Sequence, residues 1–207
     1  MVQTIPASKV DLYILEEKFG LTEIETPDFF PEWQGELPEL KDLEKQELIQ
    51  VKANYRYLVK RPMLEQIVKM VVLSPLLKIA GFYQEPFYLT AEKQVTITSE
   101  DEGTIVSGKI DIFVSVPAFW ILAIEAKRVD FSLHVGIPQL LTYMLGSTEL
   151  EYPAFGFVTN GYDFKFLKLI KQETPGYATS NSFTLEDGEE LFTVARILKH
   201  LARVVSQ

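Results

Sequence analysis

Three ionisable side chains, Asp111, Glu125 and Lys127, interrupt the run IDIFVSVPAFWILAIEAK (residues 110–127), which otherwise reads as the apolar strands of a buried β-hairpin. Side chains alternate across a strand. Ile110, Ile112 and Val114 are therefore expected on one face, with Lys109, Asp111 and Phe113 on the other. Along 121–127, Leu122, Ile124 and Ala126 share a face, opposite Ile121, Ala123, Glu125 and Lys127. A hairpin centred near Ala118 sets Asp111 opposite Glu125. Facing carboxylates repel each other, and each is costly to take out of water. A divalent cation between them makes the pair favourable. Carboxylate oxygens suit Mg²⁺ or Mn²⁺, which keep several waters and bind phosphates. Such an ion makes water more acidic, and Lys127 can orient that water or stabilise charge growing on a phosphate oxygen. The chemistry that accounts for all three charges is metal-dependent phosphodiester hydrolysis. An ordinary ion-pair network at a sheet edge also accounts for them, because an E-x-K triplet is common.

The elements that must position these residues are legible from periodicity. Residues 8–19 predict a short helix capped by Ser8. TPDFFPEWQGELPEL is an ordered loop anchored by Phe29, Phe30 and Trp33. Pro38 to Lys60 predicts a long helix. A second, 61–79, has Pro62 in its first turn and ends at Gly81, with Met63, Ile67, Met70, Val71 and Leu77 facing the core. The period then changes to two. FYLTAEKQVTIT, TIVSGKIDIFV and WILAIEAK read as a three-strand meander joined by SEDEG and SVPAF. GIPQLLTYMLGS is a helix, PAFGFVTN and DFKFLKLI form a hairpin about Gly161, and 187–205 is a closing helix. This order predicts an α/β fold with a mixed central sheet flanked by helices. The chain divides into an acidic N-terminal helical extension, 1–60, packed on a body formed by 61–207.

Gln139 and Tyr143, in PQLLTYM, are four apart on the predicted helix and share a face, leaving Leu140, Leu141 and Met144 for the core. With these in place the sequence resembles the PD-(D/E)xK nuclease superfamily, and within it the nuclease domain of type I restriction enzyme motor subunits and RecB-type nucleases. The resemblance rests on IDIF, IEAKR and QLLTY in order, over about residues 60–170. It implies a restriction-endonuclease-like α-β-β-β-α-β core. Asp111 and Glu125 would be metal ligands, joined by the Ala126 carbonyl. Lys127 would be the catalytic lysine, with Gln139 and Tyr143 supporting the site or contacting the nucleic-acid backbone. The family often adds a glutamate on the first core helix, and Glu65 is the candidate; a solvated helix charge is the alternative. Ile110 stands where the family usually has proline.

The implied activity is Mg²⁺- or Mn²⁺-dependent endonucleolytic cleavage of DNA by a nuclease module of restriction-modification type. No G-x-x-x-x-G-K-[ST] loop is present, so a module without an ATP motor is expected. Nothing in the sequence reads the sugar, so RNA stays open beside DNA. The second reading is a non-catalytic subunit or adaptor on the same fold. Its motivation is charge: residues 1–50 carry twelve acids against four bases, most of the chain's net charge of −9. Such a surface repels DNA and suits a basic partner, and a homodimer or partner subunit could complete a DNA groove. Lys60, Arg61 and Arg128 are the candidate DNA contacts. Lys60 and Arg61 belong to the basic–aromatic cluster Tyr55, Arg56, Tyr57, Lys60, Arg61, which packing of tyrosines on the core explains equally well.

Other chemistries lack support. Cysteine is absent, which removes disulfides, thiolate metal sites and cysteine nucleophiles and fits a reducing cytoplasm. His134 and His200 are the only histidines and are far apart, which argues against zinc. No G-x-S-x-G elbow supports a serine hydrolase. No secretory signal or membrane-length apolar run is present, and a cytoplasmic location is expected.

Overall fold

A computed structural model describes residues 3–25, 29–99, 103–116, 119–147 and 152–204. The connection SEDEG, apart from its end residues, and the expected hairpin centre at Ala118 lie outside these residues, as does residue 205 of the closing helix.

The sheet is built from the strand-forming runs. Its strands are β1 (Gln3–Pro6), β2 (Thr22–Glu23), β3 (Tyr88–Thr98), β4 (Thr104–Val116), β5 (Phe119–Ala126), β6 (Ala154–Thr159), β7 (Asp163–Ile170), β8 (Gly176–Thr179) and β9 (Phe183–Thr184). The main order is β1-β4-β5-β6-β7-β8-β2, with β3 on β4 and β9 on β7. β3–β4 and β4–β5 are antiparallel, as the meander predicts, whereas β5–β6 is parallel. A parallel pair needs a crossover, and α6 (Gly136–Leu145) supplies it.

The helices form two layers. On one face α3 (Asp42–Leu58), α4 (Glu65–Val68), a π-helical turn (Lys69–Leu73), α5 (Ser74–Ala80) and α7 (Glu190–Val204) pack on Val114, Leu122, Ile124, Phe157 and Phe166. On the other, α6 and α1 (Leu12–Phe19) pack on Val106, Ile110, Phe113, Ala123 and Val158. The short α2 (Pro31–Gln34) belongs to the aromatic loop, which is held by Lys168. That lysine donates to Glu32 and to the Phe29 carbonyl. Phe29 and Phe30 meet edge to face at 5.7 Å.

Several expectations need correction. The N-terminal extension is not only helical. β1 pairs in parallel with β4, on the edge that β4 also gives to β5, and β2 pairs in parallel with β8 at the far end of the sheet. Four residues or fewer per strand leave too little alternation to read. The helix expected over 61–79 begins only at Glu65, beyond Pro62, and contains the π turn. Of the residues expected to face the core, Met63 and Leu77 are buried and Ile67 and Val71 pack against it, while Met70 is 68% exposed. Gly81 ends this helical run with φ of 94°, as a C-cap glycine should.

Asp11, not Ser8, caps α1, its carboxylate accepting from the Ile14 N–H at 2.8 Å. Asp11→Ala should cost about 1 kcal/mol, which is ~2–4 °C in a thermal melt of a chain this size. An unchanged melt would show the cap contributes nothing. Among the described residues no helix is long and apolar enough to cross a membrane.

Candidate active site

The site grows from a gap along one edge of β4. β3 lines the other edge from end to end. On the gapped edge β1 pairs with Thr104 to Ser107, and β5 pairs from Ile112 onward, where Ile112 faces Ile124. Residues 108–111 pair with neither strand. Continuing the β4–β5 register by one residue sets Asp111 opposite Glu125, as the hairpin spacing predicts. In place of a strand carbonyl, the Asp111 carboxylate accepts the Ala126 N–H through Oδ2 at 2.9 Å.

The facing alternation expected around Asp111 does not hold. Ile110 is buried with Phe113 against α6, while Ile112 and Val114 serve the opposite core. The break has a partner in β3. Glu92 lies between the pairs Lys93↔Ile110 and Ala91↔Ile112, and its φ is 53°. Such local irregularity bends a strand and re-aims a side chain. Asp111 is re-aimed here, which explains how it reaches both β5 and the helix layer.

Two lysines hold the carboxylates. Lys127 Nζ donates to Glu125 Oε1 at 2.6 Å and to Gln139 Oε1 at 2.8 Å. Gln139 Nε2 in turn donates to the Tyr143 hydroxyl at 2.8 Å. An ammonium only donates, so it fixes the orientation of the Gln139 amide. Tyr143 is 1% exposed and therefore supports Lys127 through Gln139; it is too buried to meet nucleic acid. Gly108 makes room for it, because a Cβ there would stand 2.9 Å from the tyrosine oxygen and 2.6 Å from the Ala7 Cβ. On the other side Lys69 Nζ lies 2.7 Å from Asp111 Oδ1 and 2.8 Å from Glu65 Oε1. Glu65 is thus part of the cluster and not a solvated helix charge.

Lys69 is a member of the cluster that sequence patterns do not single out. Its one signal is the E-x-x-x-K spacing from Glu65, which on a helix brings both side chains to one face but also decorates many solvated helices.

The electrostatics single out Glu125. Its side chain is 3% exposed, and Oε2 is buried without a hydrogen-bond partner among the described residues. Burial pushes its carboxyl up to about 8, assisted by the Asp111 and Glu65 charges and opposed by Lys127. Burial would pull the Lys69 ammonium down, but Asp111 and Glu65 outweigh it and the net shift is upward. Burial raises the Tyr143 phenol as well, with the Glu125 and Asp111 charges adding to it.

As the side chains lie, no three His, Cys, Asp or Glu among the described residues could hold a metal ion. The chemistry of the donors nevertheless suits a hard cation. They are carboxylate oxygens, and one is a buried orphan acceptor within the field of two further acids.

Lys60, Arg61 and Arg128 come together. They line a cavity of about 390 Å³ with Val59, Pro62, Met63, Val129 and Asp130. Arg128 pairs with Asp130 at 3.0 Å, both largely exposed. The rest of the basic–aromatic cluster disperses. Tyr55 is buried against Tyr162, Arg56 pairs with Glu186 at 2.7 Å, and Tyr57 is 74% exposed. His134 lies apart from the carboxylates, in a smaller cavity with Asp163 and Lys165.

No family model matches the chain, and no curated protein matches it in sequence. Among solved structures it is similar to the fragment structure of a putative HsdR subunit of a type I restriction enzyme from Vibrio vulnificus YJ016. Identity is 21% over 64% of this chain and 25% of that one, with a TM-score of 0.41. The chain therefore spans about a quarter of that fragment's length.

Proposed function

We propose that this chain is a divalent-cation-dependent nuclease module that hydrolyses DNA phosphodiester bonds, with Asp111, Glu125 and Lys127 at its centre. The observation that supports it most is the meeting of those three at the β4–β5 gap, tied to Gln139 and Tyr143. In this reading Asp111, Glu125 and the Ala126 carbonyl hold Mg²⁺ or Mn²⁺. The bound ion supplies Lewis-acid activation of the phosphoryl group. Lys127 presents a fixed ammonium to charge developing on a phosphate oxygen. Gln139 and Tyr143 hold that ammonium in one position, and Lys60, Arg61 and Arg128 take backbone phosphates beside the site.

A non-catalytic subunit or adaptor remains the second reading. It is favoured by the way Lys69 and Lys127 already neutralise the acids. The deciding experiment incubates the protein with single- and double-stranded DNA and Mg²⁺ or Mn²⁺, beside Lys127→Ala. Cleavage by the wild type alone supports the nuclease; no cleavage and no thermal stabilisation by millimolar Mn²⁺ supports the adaptor.

The basic cavity carries its own prediction. Replacing Lys60 and Arg61 together by alanine should weaken DNA binding about tenfold, equally on all sequences, and flatten the salt dependence by roughly two phosphate contacts. Fluorescence anisotropy at several salt concentrations reads both. Unaltered binding would take this cavity out of the substrate path.

A further inference from the structure

We infer that Lys69 is a built-in counter-ion that competes with the divalent cation for the Glu65–Asp111 side of the site. This rests on the cation-dependent reading above and deepens it. The Lys69 ammonium lies within 2.8 Å of a carboxylate oxygen from each acid, so it fills the space between them. It is the first residue of the π turn, while Glu65 opens the α-helical turn before it. π turns are uncommon, and many sit at functional sites. Lys69 stands four residues after Glu65 and shares its face of the helix, while Met70, the next residue, points to solvent.

The acids alone would be an ordinary charged cluster. The separate sign of a ligand is Glu125, whose side chain is only 3% exposed and whose Oε2 has no partner among the described residues. Lys127 takes the other oxygen and cannot be released without losing Gln139 as well. Among the described residues Lys69 pairs with the two acids, and its side chain is 24% exposed, so it can swing out to water without disturbing the core. A cation binding here must therefore displace Lys69 or share Asp111 with it. Either way the positive charge of Lys69 opposes the ion.

The test measures Mn²⁺ affinity directly, by the electron paramagnetic resonance signal of free Mn²⁺, for the whole chain without DNA. Lys69→Met is expected to bind Mn²⁺ about tenfold more tightly than wild type, and Lys69→Arg to stay near wild type. Lys69→Gln keeps a donor for Asp111 and should show the same gain, which serves if the methionine variant does not fold. Asp111→Asn is expected to lose binding. Equal or weaker binding by the Met and Gln variants, with Asp111→Asn still defective, would overturn the role of Lys69 and leave the cation site standing. No saturable binding by any of the proteins would sink both.

Discussion

Lys127→Ala is expected to lower DNA cleavage by about 10²–10³-fold, the usual loss when one preorganised donor to a developing oxyanion is removed. The size of the effect reflects how firmly this ammonium is held. Glu125 and Gln139 both accept from Nζ, Tyr143 backs the glutamine, and the side chain is only 15% exposed. A charge fixed in that way need not reorganise as the reaction proceeds. Arginine should not rescue the variant, since a planar guanidinium cannot occupy the same point between the two acceptors. Removing the lysine leaves Glu125 without its one hydrogen bond, so circular dichroism must accompany the assay. A folded Lys127→Ala that cleaves as fast as wild type would mean that the lysine only balances charge.

Glu125→Gln is expected to change how stability depends on pH. In the folded chain burial raises this carboxyl to about 8, against 4.5 for an ordinary glutamate. Between those values the folded form holds a proton that the unfolded form has released. Stability therefore falls as pH rises through this window. Glutamine cannot titrate and lacks that loss. Each tenfold change in proton affinity is worth about 1.4 kcal/mol; discounted for water penetration and for relaxation of the pair, the gain is ~2 kcal/mol. The variant should melt at about the wild-type temperature at pH 5 and roughly 4–8 °C above it at pH 8.5. Parallel melting curves across that range would show that Lys127 keeps Glu125 ionised throughout. A divalent cation at the site should shrink the difference, because it stabilises the ionised form of the wild type alone.

Loss of cleavage in Lys127→Ala together with a pH-sensitive Glu125 describes a hydrolase whose buried acid awaits a cation. A pH-sensitive Glu125 without cleavage in any form describes a scaffold that retains the cluster for another purpose.

The strands that carry the site were legible because their composition leaves little choice. β7 spans the predicted DFKFLKLI, and β3, β4 and β5 fall within two residues of the predicted runs. Runs of 8–13 residues rich in β-branched and aromatic side chains and bounded by turn residues read as strands. The position of Asp111 across from Glu125, one residue beyond the last pair of the ladder, was also accessible, because hairpin register depends on loop length. Gln139 and Tyr143 could be placed on one face by helical spacing alone.

Other features depended on residues distant in sequence. β1 and β2 are too short to announce themselves and exist because β4 and β8 offer free edges. The π turn in the first core helix, and the exposure of Met70 in place of the core position expected for it, depend on how that helix packs. Ile110 faces α6 because the β3–β4 ladder is irregular at Glu92. Lys60 and Arg61 meet Arg128 across more than sixty positions. Residue types and local spacing thus determined which side chains could do chemistry and which elements carry them. Tertiary structure decided their partners: Lys69 beside Asp111, Tyr143 behind Lys127, an unpaired oxygen on Glu125. Periodicity is local and repeats along the chain, whereas ion pairing and desolvation depend on which distant segments pack together.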